Sequence, residues 1–268
     1  MENATEAIFT ATSTGDSVNP LDTPEYFVQQ QYVDLLGREP EEDGFNYWSD
    51  RILECVGDAL CVNARRRDVA GAFFIEAEFQ QTGSFIYGLY KGSLGRTPAY
   101  AEFSSDRQHV IGGPNLETMK QAFAESFVGR AEFVSKYQAN MTAESFVNAL
   151  LVNVQQASGI DLSSQRDALT ATYNTGANLN ESRSLVVRKL TESADFRQAE
   201  YNGAFVLTEY FGYLRRDAEP EGYNFWLDVL NNREPGNFRG MVCSFITSRE
   251  YQQRFSAIVS HSNQECGQ

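Results

Sequence analysis

The hydrophobic positions from Phe27 to Leu36 are irregular one by one but helical in sum. Phe27, Tyr32, Leu35 and Leu36 fall broadly on one stripe, the spacing of a helix that buries one face. Gly37 follows, and a glycine is free to take the positive φ that ends a helix. Pro40 then stands where the first turn of a new helix would accept it. This spacing predicts Glu39 at the N-cap and Glu41 and Glu42 in the first turn. Carboxylates there meet unpaired N–H groups and the positive end of the helix dipole. The same grammar returns at Thr97-Pro98 and at Glu219-Pro220. In the helices that follow, Tyr47 with Trp48 and Phe225 with Trp226 are predicted to fill the core. Strand signals are weak throughout, and the stretches 110–119 (VIGGPNLETM) and 174–182 (NTGANLNES) read as loops by composition. The pattern predicts an all-α protein.

Laying the chain against itself adds a period. YFVQQQYVDLLGREP, SFIYGLYKGSLGRTP, SFVNALLVNVQQASG and AFVLTEYFGYLRRDAEP align on Phe27, Phe85, Phe146 and Phe205, roughly 60 residues apart, and self-similarity at a fixed period marks an internal repeat. A second signature closes each unit, at Phe79, Phe133, Phe196 and Tyr251. The third unit has lost the Gly-Arg-x-Pro turn. The expectation is four degenerate helical repeats packed into one body over 23–256, after a flexible linker over 1–22 and before a C-terminal tail over 257–268.

Composition narrows the class. Apolar residues make up 42% and aromatics 13% of 268 residues, enough for a sizeable core and against wholesale disorder. The net charge of −14, with no compensating basic block, argues against nucleic-acid binding. Arg65, Arg66 and Arg67 are the one basic cluster, expected as a solvated helix face. No apolar run approaches the roughly 20 residues that span a bilayer. The start lacks the basic and apolar regions of an intact signal peptide. It reads as a linker arriving from upstream domains.

Cys55 and Cys61 bracket a short loop, and Cys266 lies in a polar tail that Cys243 could pin to the body. This placement favours two disulfides, Cys55–Cys61 and Cys243–Cys266, and with them an extracellular or cell-surface location. Buried free thiols are the alternative. A zinc site is a further one, but His109 and His261 are the only imidazoles available to it.

Once FVQQQYVDLLGREPEEDGFNYW and FVLTEYFGYLRRDAEPEGYNFW stand side by side, the chain resembles a bacterial extracellular helical domain of unknown function found in secreted and surface proteins. The hallmark is Gly-Arg-x-Pro followed by Gly and a Tyr-Trp pair. More distantly the chain is similar to surface-layer anchoring modules and phycobilisome linker domains. The resemblance implies attachment or assembly outside the cell, through cell-surface polysaccharide or a surface protein. It carries over no catalytic residues and no cofactor.

The acidic joints bear on chemistry. Glu39, Glu41, Asp43, Gly44 and Asp50 have the spacing of a calcium loop, as do Asp217, Glu219, Glu221, Gly222 and Asp228. If a helix begins at Pro40, the later residues cannot wrap an ion, so capping is the expected role. Arg38, Arg96 and Arg216 recur at the turn. Their planar guanidinium groups suit an anionic sugar, but returning to satisfy carbonyls at the preceding helix end is the favoured reading. The candidate ligand-binding set is Arg38, Glu42, Asp43, Arg216, Asp217 and Glu221. A polysaccharide hydrolase would instead need two carboxylates roughly 5–10 Å apart, for which Glu42 with Asp43 or Asp217 with Glu221 are candidates. A third possibility is a purely structural unit of a surface layer or filament.

Overall fold

The computed structural model describes residues 18–75 and 77–267, and among them every regular element is a helix. The first helix, α1 (Pro24–Gln31), runs on into a wide π-type turn over Tyr32–Leu36. There follow α2 (Glu42–Leu53), α3 (Ala59–Ile75), α4 (Ala77–Gln81) and α5 (Gly83–Leu89). A second wide turn, Tyr90–Leu94, leads to α6 (Tyr100–Asp106). The middle of the chain holds α7 (Leu116–Val128), α8 (Ala131–Lys136), α9 (Ala143–Ser158), α10 (Arg166–Tyr173) and α11 (Leu179–Thr191). Then α12 (Ala194–Glu209) ends in a wide turn over Tyr210–Leu214 and α13 (Pro220–Asp228) in another over Val229–Arg233. The last helices are α14 (Phe238–Ile246) and α15 (Arg249–Gln252).

Several local expectations need correction. Glu41, not Glu39, is the N-cap after the first joint, and α2 starts at Glu42 rather than Pro40. Pro98 likewise precedes the Ala99 cap of α6. Only Pro220 opens its helix, with Glu219 as cap. The supposed loops at 110–119 and 174–182 end early, because α7 begins at Leu116 and α11 at Leu179; Asn178 caps α11 by accepting from the Glu181 N–H. The arginine cluster is not a solvated face: Arg66 is buried, donates to the Leu21 carbonyl (2.5 Å) and lies over the Phe27 ring.

The core is one continuous cluster that takes in all four anchoring aromatics, Phe27, Phe85, Phe146 and Phe205. Helix α1 packs on α2 and α3, α3 on α14, α5 on α12, α7 on α11, and α10 on α9 and α11. Phe74 joins distant segments, with its ring 4.7 Å from Phe79, 4.4 Å from Phe205 and 5.4 Å from Tyr201. Such edge and tilted pairs add to simple burial.

The first and third wide turns press on each other. A Cβ on Gly212 would stand 2.8 Å from Leu35 and 3.2 Å from the Asp34 carbonyl, so the approach requires glycine. Asp34 is buried there and neutralised by Arg254 (2.8 and 3.1 Å), since an unpaired carboxylate at this depth would be costly. The first described turn meets the C-terminal segment nearby. Asn19 and Leu21 are buried, inside the stretch read as linker; residues 1–17 of that stretch lie outside the described residues. Asn19 donates to the carbonyls of Gln252 and Ile258. His261 contacts Asp22 (3.0 Å) and Glu265 (2.9 Å). Cys55–Cys61 and Cys243–Cys266 are bridged, with Cα atoms 5.4 and 5.6 Å apart.

Candidate functional site

Three joints share one construction. The wide turn of each of these joints opens on a tyrosine and ends in a left-handed residue, Gly37, Gly95 or Arg215. The next residue is an arginine that folds back over the opening ring: Arg38 over Tyr32 (5.1 Å), Arg96 over Tyr90 (5.0 Å) and Arg216 over Tyr210 (5.3 Å). Each then meets a glutamate from far along the chain. Arg38 donates through Nε and Nη2 to Glu78 (2.6 Å each). Arg96 does so to Glu132 (2.8 and 2.6 Å) and Arg216 to Glu250 (2.6 and 3.1 Å). Remaining donors take the carbonyl of the following residue, Glu39, Thr97 or Asp217, and not those expected at the preceding helix end, and a nearer acid: Glu41, Glu102 or Glu219. These hydrogen bonds raise all three guanidinium pKa values, the distant glutamate contributing most. Arg96 in turn holds the Glu102 and Glu132 carboxyls below their usual range.

The tyrosine fixes the next helix as well. A Cβ on Gly44 would lie 2.3 Å from the Tyr32 hydroxyl, and one on Gly222 2.3 Å from that of Tyr210. Only glycine lets α2 and α13 approach so closely. At the middle joint this register holds Glu102, and Tyr90 instead donates to Asp106 (2.7 Å), which also pairs with Arg130 (2.6 Å). Helix α9, which carries Phe146, continues regularly to Gly159, without wide turn or arginine at its end. Asp195, directly before Phe196, is exposed and has no ion pair among the described residues.

On α2 and α13 the expectation of core-filling aromatics fails in part. Trp48 and Trp226 do pack against the core. Tyr47 and Phe225 point outward, 52% and 47% exposed. Each exposed ring meets its tryptophan edge-on (4.9 and 5.1 Å) and carries a guanidinium, Arg51 on Tyr47 and Arg233 on Phe225. Arg51 also donates to the Tyr47 hydroxyl (3.1 Å). Exposed Asn46 and Asn224 precede the two rings. The surface thus offers two similar patches, each with an aromatic face, guanidinium donors and a carboxamide.

The candidate set divides accordingly. Arg38 and Arg216 are spent on internal clamps. Asp217 is exposed but accepts the Tyr100 backbone N–H (2.6 Å). Glu42, Asp43 and Glu221 are exposed in the first turns of α2 and α13, on the helices that bear the aromatic patches. Because these turns are helical, the acids do not form a cation loop, and no cluster of three or more potential metal ligands occurs among the described residues. Sequence reasoning missed Glu78, Glu132 and Glu250. Their signal was an acid directly before each second-signature aromatic: Glu78-Phe79, Glu132-Phe133, Glu250-Tyr251. Each of five surface cavities, the largest about 440 Å³, is lined by at most one carboxylate. Comparison with known protein families, characterised proteins and solved structures gives no match.

Proposed function

We propose that this chain is an extracellular, non-catalytic module that binds cell-surface polysaccharide. In this reading four degenerate copies of one helical unit of roughly 60 residues form a single scaffold, and three retain its clamped joint. The observation that carries the reading is the outward setting of Tyr47 and Phe225 at matching positions of α2 and α13. A flat, half-exposed ring beside guanidinium and carboxamide donors suits a pyranose. The two disulfides fit an oxidising location. A hydrolase would need two carboxylates facing across a cleft, and none of the five cavities brings two together.

The test is retention of the full chain on a panel of insoluble bacterial polysaccharides, with a glycan array beside it. The reading predicts saturable retention on at least one. Blank results on both would sink it, and retention on a surface protein instead would move the function to protein anchoring.

A further inference from the structure

Beside the junction of the wide turns lies a cavity of about 180 Å³, whose lining includes Asp34, Tyr100, Ser104, Arg107, Phe211 and Arg215. Two guanidinium groups, Arg254 and Arg215, meet the Asp34 carboxylate here, and a third, Arg107, holds the backbone beside it. Arg254 already pairs with both oxygens of Asp34. Arg107 donates to the carbonyls of Val33 (2.7 Å) and Asp34 (2.8 Å) and has no ion pair among the described residues. Arg215 reaches Asp34 through a single contact of 3.2 Å, and its side chain is 50% exposed. Asp217, two residues after Arg215, accepts the Tyr100 N–H (2.6 Å) and adds one further negative charge against the three arginines. A positive surplus remains in a chain of net charge −14.

The backbone supplies a second, independent observation. Arg215 has φ 53°, the one positive value outside glycine among the described residues, at the position where the other joints place Gly37 and Gly95. A side chain there is strained, and strain at a single site in a repeated design points to a role for that side chain.

We propose that this cavity binds the carboxylate of an acidic sugar, with Arg215 and Arg107 as the anion donors, Ser104 as a hydroxyl partner, and Tyr100 and Phe211 as the apolar wall. The site rests on the polysaccharide reading and names its ligand class as uronate-bearing glycan. Paired guanidinium donors match the two oxygens of a carboxylate, and the volume admits more than a bare ion.

The experiment is calorimetric titration of the whole chain with a short oligogalacturonate, its carboxyl-reduced counterpart and inorganic phosphate. The informative variant is Arg215→Gly, which restores the residue suited to this φ and therefore folds. Binding of oligogalacturonate that weakens at least about tenfold in Arg215→Gly and falls with added salt is the expected result. Equal affinity for the reduced oligomer, an unaffected Arg215→Gly variant, or equally tight phosphate would each overturn the assignment. A chain that retains neutral polysaccharide but ignores oligogalacturonate overturns this inference alone. One that retains no polysaccharide overturns the reading beneath it.

Discussion

Glu209 shows what burial does to a single residue. Its side chain is fully enclosed, and neither oxygen has a hydrogen-bond partner among the described residues. Desolvation pushes the carboxyl well above its ordinary value of 4.5, so the folded state keeps the proton. The unfolded chain releases it above about pH 4.5, so stability falls as pH rises from there. Glu209→Gln removes this titration. Its melting temperature relative to wild type should climb as pH rises above about 4.5. A pH-independent difference would contradict the assignment. Nothing in the local sequence announces this residue, because it occupies the helical register of Gln31, which spends its amide on Phe27 and Tyr213. The outward rings were hidden for a geometric reason. Tyr47 and Trp48 are adjacent, neighbours on an α-helix point about 100° apart, and only one of two can face the core. The run Arg65-Arg66-Arg67 poses the same problem in reverse, and its middle member turns inward.

At the scale of elements, the clamped joint is the unit of stability. Arg38 is only 18% exposed at its side chain and is held by two carboxylates, so Arg38→Ala should cost about 1–3 kcal/mol in urea unfolding. Arg96 and its partners are more open to solvent, so Arg96→Ala should cost less than about 1 kcal/mol; equal losses would argue against burial as the difference. The pH sign is opposite to that of Glu209. Glu102 and Glu132 are depressed by Arg96, so their contribution is present above about pH 4.5 and lost as pH falls through their folded values. The joint itself was legible, since Gly-Arg-x-Pro reads as a helix end, a turn and a new start. Its partner glutamates were not, because each lies 34 to 40 residues away and local pattern carries no distance information on that scale.

Across the whole molecule, closure depends on contacts between the two ends. Cys243–Cys266 and the Asn19 and His261 contacts tie the tail and the first turn to α14 and α15. In the chain-entropy account, the loop of 23 residues closed by Cys243–Cys266 contributes about 3 kcal/mol and the 6-residue loop of Cys55–Cys61 about 2 kcal/mol. Cys243→Ser with Cys266→Ser should therefore lower the melting temperature more than the Cys55–Cys61 double replacement; the reverse order would contradict the tail's role. The helical class and the cysteine pairing were readable from spacing. The Asp34–Arg254 junction was not, since it joins residues 220 positions apart and depends on how the turns dock. The central claim, binding through the outward rings, is tested most directly by the affinity of wild type and Tyr47→Ala/Phe225→Ala for a retained polysaccharide. Both side chains are half exposed, so the double variant should keep its melting temperature within the range of two surface substitutions. The account predicts a loss of affinity of at least about tenfold with folding intact. Unchanged affinity in a folded double variant would contradict it.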